Sequence, residues 1–346
     1  MSDASRRTLF QYIYGNWATM VTFVYAELGI ADHIKSGAVR ADDLAVATGT
    51  EVQALTRVLD CARILGLHSV DPNGTLCLGA TGELLRSDAP GSLRDVARLN
   101  GADFRYQPWG RLLDYVRTGS GQGLSPTWQN GTIPYLDDKP DTLAMFEAAM
   151  SQLATHMDED QLIARQLDWG QFSTILDLGS GNGTLLEAIV ERHPDTEGTL
   201  FDVPEVITRL PRQSATDSQQ SRLQSIAGNF FERVPGGFDA YLMKNIIHNH
   251  PPTRCLQLLQ NIADSMAGRD ARLFLIEFAR TTGNGADTLG CFTDLNLNLL
   301  VGGSVRSIGA YRTLLQDAGL ELGQIRSIPG TERVILECRT LRGESV

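Results

Sequence analysis

A short apolar strand that runs into a glycine-rich loop constrains this chain more than any other segment. Residues 175–183 read ILDLGSGNG, and Thr184 then opens a segment with the apolar spacing of a helix. Glycines allow positive φ and let a ligand approach the backbone amides closely. The first turn of a helix also leaves N–H groups without intrahelical partners. The segment therefore predicts a ligand-binding turn between a strand and a helix.

Strands and helices alternate from Thr174 to the end of the chain. This alternation predicts a largely parallel sheet with helices on both faces, and ligands of such sheets bind at the carboxyl ends of the strands. The polar stretch 211–224 is predicted to be a partly helical excursion on the surface. The predicted strands are 174–178, 198–203, 239–245, 272–278 and 332–338.

Two acidic residues narrow the identity of the ligand. A dinucleotide fingerprint would place its third small residue at Thr184, whereas the third glycine of this loop comes one residue early. Asp177 lies directly before the loop, where a carboxylate suits an ammonium group. Asp202 ends the next strand, where a carboxylate can accept hydrogen bonds from ribose hydroxyls. S-adenosylmethionine (SAM) carries an ammonium group and a ribose but no phosphate, so these residues favour SAM.

The first hundred residues have a helical pattern with one hairpin. Residues 10–34 form a helical stretch that is apolar on most sides, which favours burial against a second subunit, or a central position in its own domain. Residues 41–99 read as two helices and a hairpin turned at DPNG, which is the winged-helix pattern. This segment carries five basic and eight acidic side chains, a net charge of −3. That balance disfavours DNA binding and favours a structural or dimerising role.

Composition disfavours several classes of partner and site. The formal net charge of −11 opposes binding to nucleic acid. No run approaches the roughly 20 apolar residues that span a bilayer, and the start, MSDASRRTLFQ, lacks the apolar segment of a secretory signal. A cytoplasmic protein without a membrane partner is therefore expected. The five cysteines form no C-x-x-C pair, and no acids with metal-like spacing lie near the loop, so no metal is expected.

Longer motifs surround these residues. The segments DLGSGNG (177–183), FDVP (201–204), GNFF (228–231) and GGSVRS (302–307) resemble D-x-G-G-G-x-G, F-D-L-P, G-D-F-F and G-G-x-x-R-T. Those motifs belong to SAM-dependent O-methyltransferases of the plant caffeate and flavonoid type, and to bacterial relatives that modify phenazines, anthracyclines and other aromatic natural products. The resemblance covers nearly the whole chain.

The resemblance implies a fold and a division into domains. The fold is an α/β, Rossmann-like SAM-dependent methyltransferase domain preceded by an α-helical, winged-helix-like dimerisation domain. The implied bounds are 1–100 for the dimerisation domain, 101–170 for a helical linker that contributes to the acceptor pocket, and 171–346 for the catalytic domain. A homodimer formed through the N-terminal domain is expected.

The resemblance also assigns roles to individual residues. His248 matches the family's general base, and Glu277 matches the carboxylate that positions it. Two positions depart from the family pattern. Asn229 stands where the family has an acid, and His250 stands where it has a tryptophan against the adenine, so His250 could stack there or face the acceptor. The implied cofactor-binding residues are Asp177, Gly179, Gly181, Gly183, Asp202, Val203, Asn229, Phe230 and Lys244.

Four residues are candidates for the acceptor pocket. Phe146 and Met150 match an F-x-x-x-M spacing of acceptor-lining residues in the family. Asn298 lies in an otherwise apolar helix and faces either the acceptor or water, and His250 is the fourth candidate. The implied reaction is methyl transfer from SAM to a small aromatic acceptor, with S-adenosylhomocysteine as the second product.

O-methylation with His248 as general base is the favoured reaction. A histidine suits this task because an imidazole can accept the proton of a phenol near neutral pH. The sequence leaves three alternatives. They are N- or C-methylation, for example at an indole carbon, a family member that catalyses cyclisation or rearrangement instead of methylation, and a winged-helix regulator that senses a small molecule.

Overall fold

The computed structural model describes residues 3–119, 140–156, 159–210, 222–280, 288–331 and 333–341. The chain divides into two compact units, of which the first comprises Met1–Gln107 and Lys139–His156, and the second Pro108–Asp138 and Met157–Val346. The region expected to be a linker, 101–170, is thus shared between the two units. The three-part division at residues 100 and 170 stays a prediction.

The first unit is helical with one small hairpin. The apolar stretch 10–34 is not one continuous helix. The helix is interrupted at Tyr14 and again at Gly29, and Gly29 has a φ of +61°. Two helices and a hairpin then follow in the predicted order, and the hairpin turn is closed by Asp71 Oδ1, which accepts hydrogen bonds from Asn73 N and Thr75 N, both at 2.8 Å. The elements are α1 (Asp3–Ile13), α2 (Gly15–Glu27), α3 (Ile30–Lys35), α4 (Ala41–Thr48), α5 (Val52–Ile64), β1 (His68–Val70), β2 (Leu76–Leu78), α6 (Ala80–Glu83) and α7 (Arg94–Gly101).

The second unit contains the sheet. Helix α8 (Asp103–Gly110) contains the boundary between the units, and α10 (Pro140–His156) belongs to the first. The helices of the second unit are α9 (Leu112–Thr118), α11 (Glu159–Ala164), α12 (Thr184–Arg192), α13 (Pro204–Ile207), α14 (Pro252–Met266), α15 (Thr288–Val301) and α16 (Ile308–Asp317). Its strands are β3 (Thr174–Leu178), β4 (Glu197–Asp202), β5 (Leu223–Ala227), β6 (Ala240–Lys244), β7 (Arg272–Arg280), β8 (Arg306–Ser307), β9 (Leu320–Ser327) and β10 (Arg333–Thr340).

The strands lie in the order β5-β4-β3-β6-β7-β10-β9, and β8 pairs with β7. Strands β3 to β7 are parallel to their neighbours, whereas β10 runs antiparallel to both β7 and β9. Alternate residues of each central strand enter different apolar layers, since Leu273 and Leu275 of β7 pack in one cluster and Phe274 and Ile276 in another. A sheet buried on both faces by helices is the predicted α/β architecture, and the fold class is confirmed.

Three of the described strands were not predicted, namely β5, β9 and the two-residue strand β8. Strand β5 has the sequence LQSIA and forms an edge of the sheet, where most of its residues are exposed. An exposed edge strand needs no apolar alternation, so periodicity does not reveal it. Strand β9, LELGQIRS, occupies the other edge. Of the stretch 211–224 that was predicted as a surface excursion, 211–221 lie outside the described residues, and Leu223 begins β5.

Among the helices in the described ranges, none is both long enough and apolar enough to cross a lipid bilayer.

Candidate active site

The candidate site is built where four parallel strands end. Asp177 lies near the carboxyl end of β3, Asp202 ends β4, Lys244 ends β6, and Glu277 lies near the end of β7. Because these strands are parallel neighbours, their carboxyl ends meet at one edge of the sheet. The structure thus brings together four of the residues that the sequence singled out.

The glycine loop leaves open space above its middle residue. A Cβ atom on Gly179 would lie 2.6 Å from Ile246 Cδ1, so this glycine is required by packing as well as by its φ of +71°. A Cβ atom on Gly181, where φ is +55°, would meet nothing within 4 Å. Asp202 fixes the loop, because its Oδ2 accepts a hydrogen bond from Gly181 N at 2.9 Å and its Oδ1 accepts one from Val203 N at 2.8 Å. The open backbone at Gly181 is a place where a ligand can approach.

Asp177 is a buried carboxyl group without a hydrogen-bond donor among the described residues. Its side chain belongs to a residue that is 3% exposed, and none of the residues that the structure describes donates a hydrogen bond to it. Burial, followed by the negative charge of Asp160, raises the pKa of Asp177 to about 8, although the positive charge of Lys244 works against this shift. A ligand ammonium group would provide the missing positive charge. The site therefore fits the ammonium group of SAM.

Lys244 is held by two acids that the sequence did not suggest. Its Nζ pairs with Asp160 and lies 3.2 Å from Glu159 Oε2. Asp160 also accepts a hydrogen bond from Thr184 Oγ1 at 2.6 Å, at the start of α12. Glu159 in turn pairs with Arg333. The acids occur in the run DED at 158–160, which looks like a solvated charge run, and no spacing rule links that run to Lys244, 84 residues away from Asp160.

His248 and Glu277 form a buried pair. His248 lies in a 3₁₀ turn (Ile247–Asn249) directly after β6, and its Nδ1 is 2.5 Å from Glu277 Oε2. His248 is 6% exposed and Glu277 is 0% exposed. A carboxylate on Nδ1 favours the tautomer in which Nδ1 carries the proton and Nε2 has a lone pair. Within the described part of the chain, no group is hydrogen-bonded to Nε2, which leaves that nitrogen able to accept a proton.

The backbone around His248 is held firmly. Glu277 Oε1 accepts hydrogen bonds from Ile246 N at 3.1 Å and Ile247 N at 2.7 Å. Asn245 has a φ of 59°, in the left-handed region that asparagine tolerates better than most residues. Its carbonyl accepts a hydrogen bond from Asn249 Nδ2 at 2.8 Å, and its Oδ1 accepts one from Arg333 Nε at 2.9 Å. The exit from β6 is therefore fixed on several sides.

His250 and Asn229 lie close to the ring of Phe231. His250 is 4% exposed, and its ring meets that of Phe231 edge-on at a centroid distance of 5.0 Å. Burial, then Arg254, lowers the pKa of His250 to about 4, so this ring is neutral at physiological pH. Asn229 Oδ1 accepts a hydrogen bond from Phe231 N at 3.0 Å, and Asn229 Nδ2 donates to Glu232 Oε1 at 3.1 Å. The predicted ligand contacts of both residues stay predictions.

Phe230 lies on the cofactor side of the site. A Cβ atom on Gly179 would lie 3.5 Å from Phe230 Cε1, so the ring is a neighbour of the glycine loop. Phe230 also packs edge-on against Phe231 at a centroid distance of 4.8 Å.

The remaining acceptor candidates belong to different units of the chain. Asn298 has both ends of its amide engaged, because its Oδ1 accepts a hydrogen bond from Tyr115 OH at 2.8 Å and its Nδ2 donates to Gly303 O at 3.0 Å. Phe146 and Met150 belong to α10 in the first unit, where they pack against a small core that includes Leu99. Their role in acceptor binding stays a prediction.

The described residues contain no group of three or more His, Cys, Asp or Glu side chains that could hold a metal ion.

Comparison with known proteins identifies the class of enzyme. Residues 109–321 match the O-methyltransferase domain, and residues 10–77 match the O-methyltransferase dimerisation domain. A 3-amino-4-hydroxybenzoate 4-O-methyltransferase from Streptomyces cremeus is 32% identical over 328 residues, which cover 94% of this chain and 88% of the relative. Relatives named as N-methyltransferases also match.

Solved structures agree with the sequence matches. The crystal structure of LaPhzM has a TM-score of 0.86 at 27% identity and covers 97% of this chain and 99% of that chain. The O-methyltransferase NcsB1 from neocarzinostatin biosynthesis, in complex with SAM and 2-hydroxy-5-methyl naphthoic acid, has a TM-score of 0.79 at 27% identity, covering 94% and 96% of the two chains. The fold is that of a SAM-dependent methyltransferase. The chain belongs to the O-methyltransferase family and carries that family's dimerisation domain.

Proposed function

We propose that this enzyme methylates a phenolic oxygen of a small aromatic acceptor, with His248 as the general base. The observation that carries the proposal is the 2.5 Å contact between His248 Nδ1 and Glu277 Oε2, which directs the basic Nε2 away from the carboxylate. When bound, SAM would supply an electrophilic methyl group, and breaking its S–CH₃ bond would give S-adenosylhomocysteine, a neutral thioether that needs no protonation to leave. His248 Nε2 accepts the phenol proton as the new C–O bond forms, and Glu277 stabilises the resulting imidazolium.

The cofactor is held by residues of this chain at the strand ends. Asp177 accepts hydrogen bonds from the ammonium group, because it is a buried carboxyl to which no described residue donates. Asp202 binds the ribose hydroxyls, since it ends β4 beside the glycine loop and a carboxylate accepts hydrogen bonds from hydroxyl groups. The loop backbone at Gly179, Gly181 and Gly183 approaches the cofactor, and Val203, Asn229, Phe230 and Lys244 complete the site.

The acceptor is proposed to be a hydroxylated aromatic natural product. The names of several relatives specify such molecules, including an aminohydroxybenzoate, and NcsB1 was crystallised with a naphthoic acid. Phe146, Met150, His250 and Asn298 are the proposed acceptor-pocket residues. N-methylation is the second candidate, because N-methyltransferases occur among the relatives and a histidine base is less necessary for an amine.

Replacement of His248 tests the proposed base. In His248→Ala, we expect kcat for a phenolic acceptor to fall by about 10²- to 10⁴-fold, which is the usual contribution of a positioned base. The affinity for S-adenosylhomocysteine, measured by calorimetry, should stay within about twofold, as expected for a group that acts only on the acceptor. His33→Ala, a histidine replacement in the first unit, serves as the matched control and should leave both quantities unchanged.

Product analysis separates the alternatives. Mass spectrometry should detect a product 14 Da heavier than the acceptor, formed together with one equivalent of S-adenosylhomocysteine. Unchanged turnover in His248→Ala would contradict a base-dependent O-methylation and favour transfer to an amine or a carbon. Conversion of the acceptor without S-adenosylhomocysteine would instead indicate a rearrangement catalyst.

We also propose that the chain forms a homodimer through its first unit. None of the residues of helix α1 is buried, even though several are large and apolar. Phe10, Tyr12 and Ile13 are 55%, 76% and 56% exposed, and Trp17 of α2 is 63% exposed. An exposed apolar surface of this kind marks an interaction site, and the segment matches a dimerisation domain. The net charge of −11 disfavours binding to nucleic acid or to an anionic membrane surface, and we propose a cytoplasmic enzyme without either partner.

The oligomeric state tests the dimer. Light scattering should give twice the chain mass of 37.8 kDa, and the double variant Tyr12→Glu with Ile13→Glu should shift the protein towards the single-chain mass. The double variant Gln260→Glu with Gln316→Glu, at two exposed positions of the second unit, adds the same two negative charges and controls for the change in charge. A single-chain mass for the unaltered protein at micromolar concentration would contradict the proposal.

A further inference from the structure

A buried arginine is hydrogen-bonded to the turn that carries His248. Arg306 is 7% exposed and lies in β8. Its Nη1 donates a hydrogen bond to Ile247 O and its Nη2 donates one to His250 O, both at 2.8 Å. These carbonyls belong to the residue before His248 and the residue two positions after it. One guanidinium group therefore joins both sides of the turn.

An acid holds the same turn from the opposite direction. Glu277 accepts hydrogen bonds from Ile246 N and Ile247 N as well as contacting His248 Nδ1. The N–H groups of the turn are thus bound to a buried carboxylate, and its carbonyls are bound to a buried guanidinium. We propose that Arg306 is a positioning residue that fixes the direction of the His248 imidazole. The proposal rests on the proposed role of His248 as the base.

The chemistry of the arginine suits this task better than that of its neighbour. Cys255 Sγ lies 3.2 Å from Ile247 O and 3.3 Å from His250 O, so its single S–H is shared between the same two carbonyls. Burial raises the pKa of the Cys255 thiol to about 11, so the thiol remains protonated. A thiol is nevertheless a weak donor, whereas a planar guanidinium makes two charge-assisted hydrogen bonds in a fixed geometry. The spacing of the two carbonyls is therefore set mainly by Arg306.

The chain that leads to Arg306 packs directly on the turn. A Cβ atom on Gly303 would lie 2.1 Å from His248 O, so only glycine fits at this position. Ser304 N donates a hydrogen bond to His248 O at 2.9 Å. The carbonyls of residues 247, 248 and 250 are thus all bound by the segment 302–307. Loss of Arg306 would leave two of these carbonyls without their charge-assisted hydrogen bonds, with the weak Cys255 thiol as a remaining donor, and would let the imidazole rotate.

Two variants test the inference. Arg306→Met removes the guanidinium, and Arg306→Lys keeps a positive charge but cannot bridge both carbonyls with fixed geometry. Cys255→Ala is the matched control, because it removes the weak donor to the same two carbonyls. The protein is labelled with ¹⁵N-histidine and saturated with S-adenosylhomocysteine, and the His248 Nδ1 proton is assigned by its loss in His248→Ala.

In the unaltered protein and in Cys255→Ala, we expect a slowly exchanging Nδ1 proton. In both Arg306 variants its exchange should be at least tenfold faster, while the affinity for S-adenosylhomocysteine stays within about twofold. With 3-amino-4-hydroxybenzoate as acceptor, kcat should fall by roughly 10- to 100-fold, since small misplacements of catalytic groups have effects of this size. With 3-nitro-4-hydroxybenzoate, whose phenol is already ionised, the decrease should be much smaller.

The outcomes separate this inference from the proposed function. Unchanged proton exchange in both Arg306 variants would overturn the inference, and so would an equal loss of cofactor affinity and Nδ1 protection, which would indicate general disruption. If exchange accelerates in the Arg306 variants but His248→Ala keeps full activity, Arg306 positions the ring and the proposed base is wrong. A variant that does not fold is identified by its thermal unfolding curve, and Arg306→Lys then decides.

Discussion

Asp177 and Glu277 are both buried acids near the carboxyl ends of strands in one sheet, yet their surroundings differ. Glu277 contacts His248 Nδ1 and accepts hydrogen bonds from two backbone amides. Asp177, in β3, receives no hydrogen bond from any residue in the described ranges. Burial and the charge of Asp160 raise its pKa to about 8. One side of the site is thus complete within the protein, and the other has room for a positive charge.

This difference suggests how the two halves of the site work. A base must be held in the right direction before the acceptor arrives, and a dense set of hydrogen bonds achieves this without help from a ligand. A cofactor must be recognised. A ligand ammonium group offsets the cost of burying the charged carboxylate, so a buried acid favours a ligand that carries such a group. The base side is therefore expected to tolerate changes of pH and ligand, whereas the cofactor side should respond to both.

The largest expected effect concerns cofactor binding through Asp177. The free protein holds a proton on Asp177 below a pH of about 8, and the ligand ammonium group favours the carboxylate. Binding at pH 7 should therefore release a proton, and affinity should rise with pH towards about 8, by up to about tenfold per pH unit. Calorimetry with S-adenosylhomocysteine in two buffers of different ionisation enthalpy measures this release.

The Asp177→Asn variant sharpens this prediction. It should bind S-adenosylhomocysteine roughly 10- to 100-fold more weakly, as expected for the loss of a charge-assisted hydrogen bond, and it should release no proton. Asp195→Asn makes the same chemical change at an exposed residue before β4 and should match the unaltered protein. Equal heats in the two buffers for the unaltered protein would contradict a protonated Asp177 in the free state, and unchanged affinity in Asp177→Asn would contradict the ammonium contact.

Most of the fold and the central acids could be predicted from the sequence, because their signals are local. The strand β3, the glycine loop and Asp177 are contiguous, and His248 follows its own strand directly. The partners of these residues could not be predicted in this way. Asp160 meets Lys244 across 84 residues, and Arg306 meets Ile247 across 59. Such contacts depend on tertiary packing, and neither periodicity nor turn chemistry encodes them.

The charged groups around Lys244 also come from segments that are distant in sequence, and they affect the proposed cofactor site. The sequence assigned this lysine to the cofactor, but the folded protein pairs it with Asp160 and Glu159. The three charges add up to an excess of one negative charge beside Asp177. Arg333, which reaches Glu159 from the start of β10, offsets this excess charge. The electrostatics of the cofactor side are therefore a property of the assembled sheet rather than of any motif.

The smallest expected effect contrasts two buried groups in the pH dependence of stability. Burial lowers the pKa of His250 from 6.5 to about 4, so its contribution to stability is complete above pH 6.5 and is lost as pH falls towards 4. Burial raises the pKa of Asp177 from 3.8 to about 8, so the cofactor-free protein loses stability from this group as pH rises. Between pH 4 and 6.5 the two trends have opposite signs and offset each other.

When one of the two groups is replaced, the pH dependence of stability that is due to the other should become measurable. In Asp177→Asn, the free energy of unfolding should increase with pH from 4 to 6.5 more steeply than in the unaltered protein, by up to about 1 kcal/mol per pH unit. In His250→Gln, the slope should change by a similar amount in the opposite direction. Urea unfolding of the cofactor-free protein at several pH values measures both slopes, and each variant is compared only with itself across pH, so a general loss of stability does not interfere. Slopes that change in the same direction would show that the two groups do not differ in the way their burial implies.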